Sequence, residues 1–101
     1  MLLATPMAGV EPAAGDWWLY VLLCANESLY VGIARDVDER FAVHCAGKGA
    51  IYTRLNAPVR VLARQRQPSR SAALKAEYAL KQRTRQQKLH WVAAMRESAE
   101  S

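Results

Sequence analysis

Cysteine is scarce in this chain, and its scarcity excludes a fold held together by disulfides. The two cysteines, Cys24 and Cys45, form neither a CxxC pair nor a dense framework. This usage is typical of two reduced thiols in a cytoplasmic protein. A zinc site would need more ligands than Cys45, His44 and the distant His90 supply.

Long apolar runs are also missing, and this excludes a spanning helix within the sequence. The longest run, Trp17 to Ala25, is far shorter than the roughly 20 residues that cross a bilayer. Residues 1–15 are rich in Ala, Gly and Pro, without the basic start and apolar core of a secretory signal. We expect a flexible N-terminal tail over 1–15, one domain over 16–97 and no membrane partner.

The stretch between Arg40 and Arg96 is strongly basic. Between Arg40 and Arg96 there are thirteen Lys and Arg residues against one acid, Glu77, a local excess of +12 in a chain whose net charge is +5. Such a basic stretch is typical of proteins that contact a phosphate backbone. A solvated basic face without a specific partner is the plainer alternative. The charge therefore favours a nucleic acid, DNA or RNA, as the partner.

The hydrophobic pattern predicts an antiparallel sheet near the start of the domain. Residues 17–24 and 29–33 are apolar enough for strands, and the Asn and Ser between them favour a turn, so the two predict a hairpin. Residues 57–65 alternate Val and Ala with Arg, which predicts a half-buried third strand.

Capping residues delimit three helices. Asp36 begins the first, which Gly47 ends; Ser69 or Ser71 begins the second, which runs to about Arg83. Thr84 with Gln87 caps the last, whose apolar side is formed by Leu89, Val92, Ala93 and Met95. The resulting order, β-β-α-β-α-α, predicts the α+β class: a small three-stranded antiparallel sheet flanked by helices.

Five side chains able to take part in phosphodiester chemistry occur along these elements. Tyr20 and Tyr30 lie on the two hairpin strands, and Arg40 and His44 lie one turn apart on one helix face. Glu77 lies beside apolar positions of its helix, so its carboxylate should face the protein and be paired with a cation. An ion pair with Lys81 at i+4 is the simpler alternative.

Together these residues resemble the GIY-YIG nuclease family. Trp18-Leu19-Tyr20 and Tyr30-Val31-Gly32 look like its two triplets, and "HCAGKGAIYTR" is similar to the small single-domain bacterial members, the YhbQ-like group. The first triplet lacks the glycine and isoleucine of the family pattern but keeps its tyrosine. The resemblance covers about residues 17 to 92 and implies a GIY-YIG type fold.

The resemblance implies a metal-dependent endonuclease that hydrolyses DNA with low sequence specificity, in repair or recombination. Its catalytic residues would be Tyr20, Tyr30, Arg40, His44 and Glu77, and Glu77 would bind one divalent cation, Mg²⁺ or Mn²⁺. A tyrosine acting as base would need its pKa lowered from about 10 by nearby cations. We leave open which tyrosine is the base. The residues expected to contact nucleic acid are Lys48, Tyr52, Arg54, Arg64, Arg66, Arg70, Lys81, Arg83, Arg85 and Lys88.

Two alternatives to a nuclease remain. Many family nucleases have an asparagine after the glutamate, whereas the asparagines here, Asn26 and Asn56, both precede Glu77. This favours a non-catalytic nucleic-acid-binding module on the same fold as the first alternative. The second is a protein-interaction domain whose basic face meets an acidic partner, which would leave Glu77 and the tyrosine pair without a purpose. The sequence leaves the oligomeric state open, including a monomer.

Overall fold

The sheet consists of three antiparallel strands with the first strand in the middle. A computed structural model describes residues 16–100, so the tail predicted over 1–15 lies outside the described residues. Strand β1 is Trp17–Cys24, β2 is Leu29–Ala34 and β3 is Pro58–Gln67, in the spatial order β2-β1-β3. The predicted hairpin is confirmed. Glu27 closes its turn with a positive φ of 67°.

Four helices accompany the sheet, one more than the sequence pattern indicated. They are α1 (Val37–Cys45), α2 (Ile51–Leu55), α3 (Arg70–Lys81) and α4 (Arg85–Glu100). The fold is α+β as predicted, but the order is β-β-α-α-β-α-α. Helix α2 is too short to show a period in the sequence, and it has no side-chain hydrogen bond at its N-cap.

The predicted helix caps are present. Asp36 accepts a hydrogen bond from the Glu39 amide at 3.0 Å, and Ser69 accepts one from the Ala72 amide at 3.1 Å. Thr84 and Gln87 bond each other reciprocally, side chain to backbone, at 3.0 and 3.2 Å. The chain leaves α1 through Gly47, whose φ of 75° is cheap only for glycine.

The two faces of the sheet carry two different cores. Leu19, Val21 and Val31 point toward α3 and α4 and pack with residues such as Leu80 and Val92. Tyr20 and Leu22 point the opposite way, and their cluster includes Val37 and Phe41 of α1. The alternation along β1 therefore places one tyrosine-lined face beneath α1 and one aliphatic face beneath the last two helices.

Strand β3 departs from the simple alternation that the sequence indicated. Its register against β1 shifts between Val21 and Leu22, so Ala63 lies opposite Val21 but Val61 lies opposite Leu22. Because of this bulge Val61 and Ala63 pack in different clusters, not on one face. Val59, at a second irregularity, is 54% exposed.

Helix α4 is anchored by a somewhat different set of side chains from the predicted one. Val92 is buried and Met95 packs on the aliphatic cluster, as expected. Ala93 is exposed, and Trp91 packs on the cluster in its place. Leu89 is 40% exposed. Within the described residues, no helix is both long enough and apolar enough to span a bilayer.

Candidate active site

The two hairpin tyrosines lie on the same face of the sheet. Tyr20 is opposite Gly32 and Leu22 is opposite Tyr30, so the two phenols are diagonal neighbours. Their ring centroids are 6.5 Å apart. The register of the hairpin alone therefore brings the two phenols together.

Two glycines make room for the aromatic side chains of this face. A Cβ at Gly32 would lie 2.5 Å from the Tyr20 hydroxyl oxygen, and a Cβ at Gly49 would overlap the His44 ring. Tyr20 thus lies over β2 at Gly32, where no side chain is present, and His44 lies against the backbone of Gly49, just before α2. Larger residues at either position would displace the ring that they face.

A buried chain of hydrogen bonds connects β1, α1 and α2. The Tyr20 hydroxyl lies 3.0 Å from Nε2 of His44, and Nδ1 of His44 lies 2.7 Å from Oγ1 of Thr53. The Thr53 hydroxyl lies 2.9 Å from the Ala50 carbonyl oxygen. Tyr20, His44 and Thr53 are 2%, 3% and 1% exposed. We call these three side chains the Tyr20 relay.

The Ala50 carbonyl at the end of the hydrogen-bond chain determines which atom donates in each bond of the relay. A carbonyl only accepts, so the single hydroxyl proton of Thr53 goes to Ala50, and Oγ1 must accept from Nδ1–H of His44. A neutral imidazole with its proton on Nδ1 has an acceptor at Nε2. The Tyr20 hydroxyl therefore donates to His44.

Burial sets the protonation states of the relay. It lowers the pKa of His44 below its usual value, and the nearby Arg40 guanidinium lowers it further, so His44 is neutral at neutral pH. Burial raises the pKa of Tyr20 strongly, with Tyr30 and Glu77 adding to the rise and Arg40 opposing it. Burial also raises the pKa of Tyr30. Arg40 lowers the pKa of both tyrosines, as the sequence suggested, but the effect of desolvation is larger.

Arg40 and Glu77 lie within electrostatic reach of both phenols. Arg40 lowers the pKa of Tyr20 and of Tyr30, whereas the Glu77 carboxylate raises both. Glu77 is largely covered, with 18% of its side chain exposed, and its Oε2 lies 3.2 Å from Nζ of Lys81. The five side chains singled out in the sequence are therefore linked by ring contacts, a hydrogen bond or electrostatic interactions, and the predicted ion pair with Lys81 is present as well.

Residues 16–90, which make up most of the chain, match the family model of the GIY-YIG catalytic domain. This chain belongs to the GIY-YIG family. Its two triplets fall on β1 and β2, its arginine and histidine on α1 and its glutamate on α3, the places where the sequence resemblance put them.

The relatives of this GIY-YIG chain carry the designation UPF0213. A UPF0213 protein of Xanthomonas campestris is 50% identical over 82 residues, covering 81% of this chain and 80% of that protein. One from Streptococcus sanguinis is 44% identical, covering 81% of this chain and 94% of its own. The solution NMR structure of a UPF0213 protein from Bacillus halodurans is similar, with 38% identity, a TM-score of 0.51 and coverage of 78% and 84%.

A second aromatic layer extends the site away from the relay. The Tyr52 ring of α2 stacks on Tyr30 with centroids 6.2 Å apart, and its hydroxyl donates to the Ser28 hydroxyl of the hairpin turn. The His44 ring meets Tyr30 edge-on at 5.2 Å. Tyr52 therefore joins the sheet face that carries the GIY-YIG residues.

The predicted nucleic-acid contacts do not form one surface. Lys81 and Lys88 line a hollow beside Tyr30, whereas Arg83 lines one on the aliphatic side of the sheet with Leu19 and Trp91. Others bind the protein itself: Arg64 pairs with Asp38, Arg66 with Asp16, Arg85 with the Glu27 carbonyl, and Arg70 lies over the Trp17 ring. Lys48 and Arg54 are exposed near α2.

Thr53 is the functional candidate that sequence reasoning missed. A threonine in a short stretch without a predicted element gives no sequence indication of function. Its role becomes visible only in the structure, where α2 places it against His44. The one available hint was the "YTR" of the segment that resembles the family. Gly49 lets the loop backbone approach the His44 ring closely, because it carries no side chain.

Glu77 fits a Mg²⁺-type site better than a site built wholly from protein ligands. Among the described residues no three His, Cys, Asp or Glu side chains are grouped to hold a metal ion. Mg²⁺ keeps several waters and often takes one or two carboxylates together with substrate phosphate. A single, largely covered carboxylate such as that of Glu77 suits that mode.

Proposed function

We propose that this protein is a metal-dependent endonuclease that hydrolyses DNA phosphodiester bonds with little sequence preference. Its membership of the GIY-YIG family supports a nuclease-type activity. The observation that carries the proposal is the buried Tyr20–His44 hydrogen bond of 3.0 Å, within electrostatic reach of Arg40 and Glu77. Core packing alone does not require a directed proton path whose phenol interacts electrostatically with both a carboxylate and a guanidinium.

The relay would let a phenol with a raised pKa act in base catalysis. Phenolate is a poor resting state for Tyr20 because burial raises its pKa. As the attacking water gives a proton to the Tyr20 oxygen, Tyr20 passes its own proton to Nε2 of His44, so no free phenolate is needed. The imidazolium formed has both N–H groups partnered, by Tyr20 and by Thr53.

Arg40 and Glu77 would deal with the charge of the phosphate. The Arg40 guanidinium is suited to a non-bridging phosphate oxygen, which its forked donors can grip. Glu77 would hold one Mg²⁺ or Mn²⁺, and that ion, when bound, supplies charge neutralisation and help for the leaving oxygen. Tyr30, beside His44 and Tyr52, would orient the substrate.

The test is strand cleavage by the purified protein on labelled single-stranded, duplex and branched DNA. We expect cutting with Mg²⁺ or Mn²⁺, its loss with a chelator and its return when metal is added in excess. No cutting of any substrate with either metal would contradict the proposal.

A non-catalytic nucleic-acid-binding module is the second candidate, and the Glu77–Lys81 ion pair favours it because that contact already occupies the carboxylate. It predicts binding that weakens steeply with salt and no cleavage under any condition.

Thr53 should act as a positioning residue for His44. Thr53→Val removes the acceptor for Nδ1–H, so the tautomer with its proton on Nε2 can compete, and that tautomer cannot accept from Tyr20. We expect a cleavage rate lower by roughly 10–100-fold, as for other residues that orient a functional histidine. Thr53→Ser keeps the hydroxyl and should restore most of the rate.

The tautomer of His44, read from imidazole ¹⁵N shifts, distinguishes positioning from a merely structural role. It should be Nδ1–H in the wild type and in Thr53→Ser but mixed in Thr53→Val. An unchanged tautomer in a slow Thr53→Val variant would contradict the assignment.

The cleavage rate of the wild type should fall on acidification only below about pH 6.5, since His44 must be neutral to accept a proton and its pKa is lowered.

A further inference from the structure

A basic, aromatic-lined groove runs from Tyr30 to the hairpin turn. One hollow of about 230 Å³ is lined by Leu29, Tyr30, Val31, Tyr52, Lys81 and Lys88. A neighbouring one of ≈ 250 Å³ shares Leu29 and Lys88 with it and adds Ser28 and Arg85. We call the two together the Tyr52 groove. It begins at a residue of the candidate active site and continues beyond it.

The chemistry of the Tyr52 groove matches a nucleotide strand. Tyr52 offers aromatic surface: it stacks on Tyr30 and is still 39% exposed. Lys88 supplies positive charge along the same path, together with Lys81, which also pairs with Glu77, and Arg85, which also donates to the neutral Glu27 carbonyl. Alternating ring surface and cations is the arrangement by which proteins hold unpaired bases and the phosphates between them.

Stacking on a side chain restricts what the strand can be. In a duplex the faces of each base are covered by its neighbours, and only base edges reach the grooves. An aromatic side chain can stack on a base only where that base is unpaired or turned out of the helix. A groove that presents the Tyr52 ring therefore selects for unpaired nucleotides.

We infer that the Tyr52 groove binds unpaired nucleotides flanking the phosphate held near Tyr20 and Arg40, with Tyr52 as stacking platform and Lys88 as phosphate contact. This inference rests on the proposed function for the position of that phosphate. It makes Tyr52 a residue that sets the preference for single-stranded over paired DNA. The Tyr52 hydroxyl also donates to Ser28 of the second hollow, so Tyr52 links the two parts of the groove, while stacking on Tyr30 positions its ring.

The inference is tested by binding in the presence of EDTA, so that its outcome does not depend on cleavage. Fluorescence anisotropy is measured with a labelled single strand and with a fully paired duplex of equal length. The wild type should bind the single strand at least about fivefold more tightly, the lower end of what one stacked base contributes. Equal affinity for the two DNAs would overturn the inference even if the protein proves to be a nuclease.

Substitutions of Tyr52 test whether its ring causes the preference for single-stranded DNA. Tyr52→Leu should weaken single-strand binding by about 5- to 100-fold and leave duplex binding unchanged, because it removes the ring but keeps an apolar side chain. Tyr52→Phe keeps the ring, loses the bond to Ser28 and should stay close to the wild type. An equal effect of Tyr52→Leu on both DNAs, or none on either, would overturn the proposal.

A charge variant provides an independent measurement should Tyr52→Leu fold poorly. Lys88→Gln should weaken single-strand binding and reduce the slope of log affinity against log salt by about one. Arg96→Gln is the matched control, since Arg96 lines a different hollow next to Met95 and should not change the slope. The same slope change in both variants would show diffuse attraction and contradict the groove.

Discussion

Replacing Tyr20 by phenylalanine should lower the rate of DNA cleavage by roughly 100- to 10,000-fold, the range that a positioned acid or base usually contributes. The substitution removes only the hydroxyl that donates to His44 and keeps the ring that fills the space above Gly32. The measurement is the single-turnover rate on labelled DNA at saturating Mg²⁺, because this isolates the chemical step from product release.

The fold should survive the Tyr20 substitution. It leaves the buried Nε2 of His44 without a partner, which costs about 1–3 kcal/mol of unfolding free energy. Tyr78→Phe is the matched control, since it removes a phenol that is 70% exposed on α3 and should leave rate and stability unchanged. Full activity in Tyr20→Phe together with a large loss in Tyr30→Phe would assign the base to the other tyrosine and end the relay.

Replacing Glu77 by glutamine should abolish cleavage, with a loss of at least about 100-fold, as expected when a preorganised charge at the reacting phosphate is removed. DNA binding should survive or become tighter, because a negative charge leaves the phosphate site and Lys81 is released from its ion pair. Cleavage and anisotropy on the same protein preparation give the two quantities together.

Asp38→Asn is the control for the Glu77 experiment. It makes the same acid-to-amide change on an exposed carboxylate that pairs with Arg64, and it should cut at the wild-type rate. Persistent cutting by Glu77→Gln at that rate would mean either that Glu77 has no role or that a contaminating nuclease is present. A chelator-sensitive activity that does not co-purify with the protein identifies the contaminant.

The sequence predicted well those features that depend on local pattern. The alternation of β1 and the capping residues Asp36, Ser69 and Thr84 define their elements without outside help. The meeting of the phenols also follows from short-range information, because a tight hairpin fixes the register that pairs Tyr20 with Gly32.

Features that depend on long-range packing could not be predicted. Nothing local shows that Thr53 will be buried against His44, because α2 exists only through its packing. The raised pKa of Tyr20 follows from burial, which is a property of the whole fold. Residue types such as Arg64 and Arg66 suggest DNA contacts, but whether an acid lies within reach is decided by the tertiary structure.

The position of the cations changes how the basic charge is interpreted. A count of Lys and Arg along the chain treats all of them as one surface, whereas the sheet separates them onto two faces and several pair with carboxylates. Lys81 and Lys88, beside Tyr30, are the cations best placed to follow a strand leaving the candidate active site. The net charge therefore indicates a polyanionic partner but not its path.

The most direct test of the central claim, that Tyr20 and Glu77 act on one phosphate in one site, is a double-variant cycle. Single-turnover cleavage is compared for Tyr20→Phe, Glu77→Gln and the combination of both. Groups that act as a unit give losses that do not multiply, so we predict that the double variant is about as slow as the slower single variant. Losses that multiply fully, or single variants that cut like the wild type, would contradict the account.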